Sequence, residues 1–380
     1  MLCAEEVVAE HSLPGFDQAA VDGFAVRSVD VQEVPATLPV VGEIAAGSRQ
    51  PLRLQPGQAV RVATGAALPT LADAVVPLDH TEEGAAGTAH AARITVTAAV
   101  PSKAWVRRTG EDVQTGDVAV RSGAVIGAAQ VGLLAAVGRA KVLVHPRPRV
   151  SVVSVGDELV DVDRNPATGQ VYDVNSYALA AAARDAGADV HRVGIVEPDS
   201  ARLREIVEGR LLLAEIVVIA GAAGGATGDE VSAALSDLGP LQVGRVAMHP
   251  GSVQGFGRLG PDSVPTFLLP GNPISALVAF EVLVRPLIRL ALGKRNPHRR
   301  IITAKLLASV TSTAGRRGFL RGQLLRDPAS DEYLVQPLGI AGAHLLSSLA
   351  EANCLILVDA DVTEVATGAE VAVSFLAQRG

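Results

Sequence analysis

The feature that most constrains the fold of this chain is the alternation of apolar strands with helices across residues 149–292. The predicted strands are rich in β-branched residues and apolar on both faces, and they comprise residues 150–155, 190–196, 216–220, 243–248 and 264–269. Strands of this kind, joined by helices, predict a parallel sheet that helices cover on both faces. The central part of the chain is therefore predicted to be an open α/β sheet.

Helices are predicted between these strands. Asn175 can cap one helix, and Asp199 can cap the next helix along the chain. A further helix is predicted near residues 229–238. The last helix is predicted to begin near Pro273 and to kink at Pro286, because proline has no N–H group to donate.

Shorter patterns flank the central part. Residues 34–100 predict a small β-rich unit, residues 127–137 a helix, and residues 295–380 a second small β unit. The predicted strands of the two β units are residues 38–44, 59–63, 74–78, 92–98, 301–310, 319–325, 333–338, 354–358 and 370–375. A chain of 380 residues is too long for one ordinary core, so two or more lobes are expected.

The composition excludes several classes of protein. A formal net charge of −7 without a basic stripe argues against nucleic-acid binding. Cys3 and Cys354 are the two cysteines, so neither a disulfide framework nor a cysteine-rich metal site is expected. The N-terminus does not resemble a signal peptide, and the longest apolar stretch, residues 274–292, carries charged residues. We therefore expect a cytoplasmic protein that is not inserted in a membrane.

Four unusual loops follow the predicted strands of the central sheet. They contain Asp157 and Glu158 after the first strand, residues 221–228 after the third, residues 248–252 after the fourth and residues 270–273 after the fifth. In an open parallel sheet, ligands bind beyond the carboxyl ends of the strands. The convergence of these loops therefore predicts a ligand pocket.

Each loop has two interpretations. The Gly-rich residues 221–228 precede a helix and can cradle a phosphate, or they form a flexible connector. The carboxylates of Asp157 and Glu158 can hold Mg²⁺, or they form a solvated turn. Residues 270–273 can contact a ligand or serve close packing, and His249 can contact a ligand or be an ordinary exposed histidine.

The order of the motifs resembles the MoeA/gephyrin E-domain family over nearly the whole chain. Residues 16–27 (Phe-Asp-Gln-Ala-Ala-Val-Asp-Gly-Phe-Ala-Val-Arg) resemble the family's Asp-Asn-Ser-Ala-Met-Asp-Gly-Tyr-Ala-Val-Arg signature. Residues 61–69 resemble its Thr-Gly-Ala-x-x-Pro segment, and residues 110–112 its Gly-Glu-Asp turn. Residues 156–159 (Gly-Asp-Glu-Leu) and residues 269–276 (Leu-Pro-Gly-Asn-Pro-Ile-Ser-Ala) match further family signatures.

The resemblance implies an α/β multidomain fold with an elongated MoeA-like protomer that forms a homodimer. A central parallel α/β subdomain of the MoaB/MogA type, residues 145–292, would bind molybdopterin between small β-barrel subdomains. Residues 34–100 would form the small β-rich subdomain, and residues 295–380 the C-terminal β-barrel. Residues 11–33 together with residues 101–144 would form the elongated dimerisation subdomain.

The resemblance also implies an activity and a set of site residues. The family inserts molybdate into adenylylated molybdopterin with Mg²⁺ and releases AMP. By resemblance, Asp22, Thr64, Asp157 and Glu158 would be catalytic, Asp22 and Thr64 would reach the site from the partner subunit's side, and Glu158 would hold the metal. The implied ligand-binding residues are Gly221, Gly224, Gly225, Asp229, His249, Pro250, Gly251, Pro270, Gly271, Asn272, Pro273 and Ser275.

Three loops depart from the family pattern. Where the family has Lys-Pro-Gly-Lys-Pro, residues 249–253 read His-Pro-Gly-Ser-Val, and both lysines are absent. The family's Ser-Gly-Gly-Val-Ser-x-Gly loop reads Ala-Gly-Ala-Ala-Gly-Gly-Ala at residues 220–226, and its Gly-Ser-His reads Gly-Ala-His at residues 342–344. Because a phosphate group needs positive charge nearby and neutral histidine supplies little, the departures leave two hypotheses open.

The first hypothesis is a molybdopterin molybdenumtransferase, which rests on the match over the whole chain. The second is a gephyrin-like scaffold with impaired catalysis, because the family includes gephyrin, whose E domain captures a receptor peptide. Such a scaffold would bind a peptide at its C-terminal subdomain, such as the tail of the division protein FtsZ, together with a membrane receptor.

Overall fold

The computed structural model describes residues 1–49, 52–82, 92–197, 199–339 and 346–376. The chain forms two units, Met1–Val144 and His145–Gly380. In the described part of the chain, no helix has the length and the apolar character that are needed to cross a bilayer.

The first unit is built on a five-stranded sheet of order β6-β3-β5-β4-β7. The strands of this unit are β1 (Val7–Val8), β2 (Gln18–Ala19), β3 (Gly23–Val26), β4 (Ala36–Ile44), β5 (Ala59–Val62), β6 (Ala74–Pro77), β7 (Arg93–Val96), β8 (Val106–Arg107) and β9 (Val118–Val120). The four strands predicted in residues 34–100 are all present, and β3, from residues 11–33, joins their sheet. Alternate residues of β3 pack into separate cores, Phe24 on one face and Ala25 on the other.

Short ladders and one α-helix complete the first unit. Strand β1 pairs with β9, and β2 pairs with β8. The predicted helix at residues 127–137 is present as α1 (Ala128–Ala136), and Leu134 of this helix packs with the buried Cys3. Short 3₁₀ turns occupy Ser28–Val31 and Leu78–His80. The division of the chain into four subdomains stays a prediction.

A six-stranded sheet of order β13-β10-β14-β18-β17-β15 is the centre of the second unit. The strands up to this point of the chain are β10 (Arg149–Val155), β11 (Leu159–Val160), β12 (Val171–Tyr172), β13 (Asp189–Val196), β14 (Ile216–Ala220), β15 (Leu241–Arg245), β16 (Met248–His249), β17 (Val253–Leu259) and β18 (Val264–Leu269). The pairing directions make five strands of the sheet parallel, and β17 alone runs against them within it. The predicted α/β fold class is confirmed.

Two strand predictions in this unit need correction. The strand predicted at residues 243–248 ends at Arg245, and Met248–His249 forms the separate strand β16. Strand β17 was not predicted, because Gly255 and Gly257 interrupt its apolar pattern. Both glycines are required by close contacts, since a Cβ atom at Gly257 would lie 2.5 Å from the carbonyl oxygen of Pro240.

Helices cover both faces of the central sheet. The α-helices that follow α1 along the chain are α2 (Asn175–Ala186), α3 (Ser200–Leu211), α4 (Gly225–Leu235), α5 (Pro273–Ala279), α6 (Arg285–Ala291) and α7 (Leu346–Glu351). A 3₁₀ turn at Ser236–Leu238 follows α4. Helices α2, α5 and α6 share one buried apolar cluster with the sheet, and α3 and α4 share another. This arrangement is the predicted sheet with helices on both faces.

The ends of the helices differ in part from the predictions. Asp199 caps α3 as predicted, because its Oδ1 accepts a hydrogen bond from Ala201 N–H at 3.0 Å. Asn175 is not a cap, since it is the first residue of α2 and Asp173 accepts from the backbone of that turn instead. A π-helical turn, Phe280–Val284, precedes Pro286, where a regular α-helical hydrogen bond is impossible.

The C-terminal part of the second unit is a closed β-barrel. Its sheet has the order β16-β21-β22-β19-β25-β23, and a further pairing between β21 and β23 closes the ring. The strands that follow β18 are β19 (Ile301–Leu306), β20 (Val310–Thr311), β21 (Arg317–Arg326), β22 (Tyr333–Pro337), β23 (Cys354–Val358), β24 (Glu364–Val365) and β25 (Glu370–Phe375). The predicted barrel is confirmed, and burial raises the pKa of the free Cys354 thiol to about 12.

Adding a methyl group at Gly23 should destabilise the first unit. A Cβ atom there would lie 2.2 Å from the carbonyl oxygen of Val76 in the paired strand, so Gly23→Ala must displace the backbone. We expect the free energy of unfolding to fall by about 2 kcal/mol or more, measured by urea denaturation.

The matched control is Gly132→Ala in α1. A Cβ atom at this exposed helical position would meet no heavy atom within 4 Å. The control should therefore raise the free energy of unfolding by about 0.5–1 kcal/mol. Equal effects of the two substitutions would contradict the steric explanation.

Candidate functional site

The loops at the carboxyl edge of the central sheet meet at Gly221. Gly221 has φ +82°, and a Cβ atom there would lie 2.1 Å from the carbonyl oxygen of Val155 at the end of β10. A Cβ atom at Gly271 would lie 3.7 Å from the Cα atom of Gly221. The loops after β10, β14 and β18 are therefore close neighbours at the edge where ligands of such sheets bind.

The Gly-rich loop passes into α4 at Gly225, four residues before the predicted helix start at residue 229. Gly224, with φ +87°, occupies the N-cap position and provides no side-chain cap. The first N–H groups of an α-helix have no acceptor within the helix, so those of α4 can bind an anion. Asp229 is exposed one turn further along, and its carboxylate accepts hydrogen bonds from hydroxyl or amino groups but not from phosphate oxygens.

Asp157 and Glu158 form the turn after β10, and both side chains are exposed. The carboxylate of Glu158 folds over Gly156, since a Cβ atom at Gly156 would lie 2.6 Å from Glu158 Oε2. The carbonyl oxygen of Glu158 accepts a hydrogen bond from Val171 N–H at 2.8 Å, which holds the turn against β12. Both carboxylates therefore lie at the same edge of the sheet as the Gly-rich loop.

Residues 270–275 form a tight turn that begins α5. Asn272 Oδ1 accepts hydrogen bonds from the N–H groups of Ile274 and Ser275, both at 3.1 Å, and Pro273 is the first residue of the helix. These contacts cap the helix, so Asn272 and Pro273 have the structural role that the sequence left open. A ligand contact by the same turn stays a prediction.

His249 is the second residue of the short strand β16, and the turn that leads to β17 follows it. Burial and the positive charge of Arg316 both lower the pKa of His249, so its imidazole is neutral at neutral pH. The peptide bond to Pro250 is cis, and a Cβ atom at Gly251 would lie 3.0 Å from the carbonyl oxygen of Ser275. The turn therefore packs against α5, and Arg316 rather than His249 supplies positive charge beside it.

Two buried carboxamides hold these turns, and neither was recognised from the sequence. Gln254 Nε2 donates to the carbonyl oxygen of Gly251 at 2.5 Å, and Asn175 Nδ2 donates to that of Gly271 at 2.7 Å. The sequence presents Asn175 as a helix cap, and Gln254 lies outside the motifs that the chain shares with the MoeA/gephyrin E-domain family. The partner of Asn175 lies 96 residues further along the chain, beyond the reach of a local pattern. The partner of Gln254 lies only three residues away, but the burial of this pair is set by tertiary packing.

A buried carboxylate, also missed, joins the end of β10 to α2. Asp173 is 1% exposed and accepts hydrogen bonds from Ser154 Oγ at 2.8 Å, from Ser176 N–H at 3.0 Å and from Ser176 Oγ. Arg192 donates to Ser176 Oγ at 3.0 Å. The network fixes the first turn of α2 beside the loop that carries Asp157.

In the first unit, the structure brings Asp22 and Thr64 together. Asp22 Oδ1 accepts hydrogen bonds from Thr64 N–H at 2.6 Å and from Thr64 Oγ1 at 2.7 Å. Asp17 and Thr109 form a second pair of the same geometry, with both distances 2.8 Å. The Asp22 and Thr64 side chains are exposed and therefore accessible to a ligand.

The described residues contain no group of three or more His, Cys, Asp or Glu side chains that could hold a metal ion. The metal-binding role of Glu158 stays a prediction. The Gly-Ala-His segment at residues 342–344, which departs from the family pattern, lies outside the described residues.

Three family models match the chain in sequence order. They are the MoeA N-terminal region (domain I and II) at residues 1–138, a probable molybdopterin binding domain at residues 151–290 and the MoeA C-terminal region (domain IV) at residues 303–376. The central match covers every loop of the carboxyl edge described above. Together the three matches define the class of the protein, and the chain belongs to the MoeA family.

Individual relatives agree with this class. The chain is 61% identical to molybdopterin molybdenumtransferase 1 of Mycobacterium tuberculosis, over 100% of this chain and 93% of the relative. It is 32% identical to the molybdopterin molybdenumtransferase of Haemophilus influenzae, over 98% of this chain and 90% of the relative. The crystal structure of a molybdopterin biosynthesis MoeA protein from Pyrococcus horikoshii matches with a TM-score of 0.83 and 31% identity, over 99% of this chain and 91% of that one.

Replacing Thr64 should change the titration of Asp22. The backbone and side-chain hydrogen bonds of Thr64 lower the pKa of Asp22 below its ordinary value of 3.8. Their stabilising effect is therefore present at neutral pH and is lost as the pH falls through the folded-state pKa. We expect Thr64→Val to raise the pKa of Asp22, measured by NMR of the carboxyl carbon, because the hydroxyl donor is removed while the backbone donor stays.

Thr109→Val is the matched control, because it removes the equivalent donor from Asp17. It should raise the pKa of Asp17 and leave that of Asp22 unchanged. An Asp22 pKa that does not respond to Thr64→Val would show that the hydroxyl group does not stabilise this carboxylate.

Proposed function

We propose that this protein is a molybdopterin molybdenumtransferase, which inserts molybdate into adenylylated molybdopterin with Mg²⁺ and releases AMP. The observation that carries the proposal is 61% identity, across the whole chain, to a protein of that name. A match of this extent includes the Gly-rich loop, the acidic turn and the Pro-Gly turns together.

The carboxyl edge of the second unit offers suitable groups for the phosphates of the substrate. The uncapped start of α4 presents backbone N–H groups, and the left-handed glycines before it let a ligand approach the backbone closely. Asp229 and other polar groups of the edge would bind amino or hydroxyl groups of the pterin or the nucleotide. These assignments make the edge the substrate-binding site.

Arg316 can provide positive charge that the missing lysines would otherwise supply. The positive charge of Arg316 lowers the pKa of His249, which is neutral at neutral pH. Arg316 immediately precedes β21, the strand that pairs with β16. An arginine can bind phosphate through two parallel hydrogen bonds. We therefore assign the phosphate-binding cation of this turn to Arg316.

Glu158 is proposed to hold Mg²⁺ together with the substrate. Mg²⁺ keeps several waters and is usually bound through one or two carboxylates plus substrate phosphates, so an isolated acidic turn fits the ion. Glu158 is exposed and lies next to Asp157, which can bind a water of the hydrated ion. Bound Mg²⁺ would screen phosphate charge, and Glu158 and Asp157 would hold it at this edge.

Asp22 and Thr64 are proposed to complete the site in a homodimer. The hydrogen bonds from Thr64 lower the pKa of Asp22, and an ionised carboxylate can orient a water molecule or accept a proton. The family resemblance implies that this pair acts from the partner subunit's side. The gephyrin-like scaffold stays a second hypothesis, and the relatives matched over the whole chain favour the enzyme.

Arg316→Gln should weaken substrate binding. Loss of a charge-assisted hydrogen bond costs about 1.5–3 kcal/mol, so we expect about a tenfold or larger rise in the Kd of adenylylated molybdopterin, measured by calorimetry with Mg²⁺. Arg326→Gln is the matched control, because Arg326 lies at the far end of β21 in an exposed ion pair with Asp331. The control should bind like the wild type.

The activity itself is tested by release of AMP when the wild-type protein is given adenylylated molybdopterin, molybdate and Mg²⁺. Release by the wild type, and its loss in Glu158→Gln, would support the transferase. A folded wild-type protein that neither binds the substrate nor releases AMP would overturn it and direct attention to peptide partners of the barrel.

A further inference from the structure

Two buried carboxamides make the same contact in two different Pro-Gly turns. Gln254 and Asn175 are 5% and 6% exposed. Each donates its N–H to the carbonyl oxygen of the glycine that follows a proline, at 2.5 Å for Gly251 and 2.7 Å for Gly271. The first turn lies between β16 and β17 and the second follows β18, both at the proposed substrate-binding edge.

In each carboxamide the nitrogen forms hydrogen bonds and the oxygen forms none within the described residues. Gln254 Nε2 also donates to Met248 Sδ at 2.9 Å, so both of its hydrogens have acceptors. Gln254 Oε1 and Asn175 Oδ1 are buried without a hydrogen-bond partner in the part of the chain that the structure describes. Each carboxamide therefore satisfies a backbone acceptor and buries an unpaired oxygen, two effects on stability that oppose each other.

The contact fixes the direction of a peptide unit. A trans peptide bond points its C=O and the next N–H in opposite directions. When Gln254 holds the carbonyl of Gly251, it also sets the direction of the Ser252 N–H group. Gly251 has φ +89° and no side chain, so without this contact its peptide unit is free to adopt more orientations than that of another residue.

We propose that Gln254 and Asn175 are positioning residues, which fix the peptide units of Gly251 and Gly271 so that both Pro-Gly turns are preformed for the substrate. Neither side chain needs to touch the ligand. The proposal rests on the proposed function, because it takes the phosphate- and pterin-bearing substrate as the ligand of these turns. According to this proposal, the two side chains increase the affinity for the substrate rather than the stability of the fold.

The test compares Gln254→Met and Asn175→Leu with the wild type in the full chain. Both changes replace the carboxamide donor with an apolar group and keep the size of the side chain similar. We expect faster hydrogen exchange in residues 248–252 for the first variant and in residues 270–273 for the second. We also expect a rise of about tenfold or more in the Kd of adenylylated molybdopterin, because a turn that must be ordered on binding loses affinity.

Gln242→Met is the matched control, because Gln242 is an exposed residue of β15. It should change neither the exchange of the turns nor the Kd. A purely structural role predicts instead that Gln254→Met lowers the unfolding midpoint and leaves the Kd of the folded fraction unchanged. That result, or unchanged exchange in both turns, would overturn the proposal.

The two proposals fail in distinguishable ways. If the wild type does not bind adenylylated molybdopterin, the proposed function fails, whatever the variants do. The exchange measurement uses the protein without ligand, so it still decides whether the carboxamides fix the turns. Binding by the wild type with equal affinity in both variants would refute the positioning role alone.

Discussion

The carboxyl edge of the second unit depends on one backbone contact that only glycine permits. At Gly221, the chain leaving β14 passes so close to the Val155 carbonyl that a Cβ atom would lie 2.1 Å from the oxygen. Gly271 can then approach Gly221 from the neighbouring loop. A side chain at residue 221 would separate the strand ends, and the acidic turn, the Gly-rich loop and the Pro-Gly turn would no longer face one space. The same steric principle operates in the first unit at Gly23.

Around that contact, short polar side chains set the direction of each loop. Asn272 caps α5, and Asp173 fixes the start of α2. In the first unit, considered by itself, Thr64 holds Asp22. The geometry differs among these three side chains, but each replaces hydrogen bonds to water with hydrogen bonds to a fixed protein group. The candidate site therefore has fixed hydrogen bonds where side chains cap helices, whereas glycines begin α4 without a side-chain cap.

The sequence predicts the features that depend on local patterns. The β-branched runs locate β10, β13, β14 and β18, and Asp199 marks the start of α3. It does not predict β17, since the glycines that close packing requires there also erase the apolar pattern of a strand. The family motifs predict a role for Asp22 and Thr64, but they do not predict the hydrogen bonds between these two residues, which are 42 positions apart. The carboxamides of Asn175 and Gln254 depend on tertiary packing, so they become visible only in the structure.

One small element links the two halves of the second unit. Strand β16, Met248–His249, leaves the turn of the central sheet and pairs with Arg317 and Gly318 of the barrel. A molecule bound at that turn and a molecule bound on the barrel would both act on this shared ladder. If either shifted the ladder, thermodynamic reciprocity would require each to alter the affinity of the other by the same factor. Substrate binding and peptide capture, which the sequence presents as alternatives, would then be coupled equilibria of one strand pair.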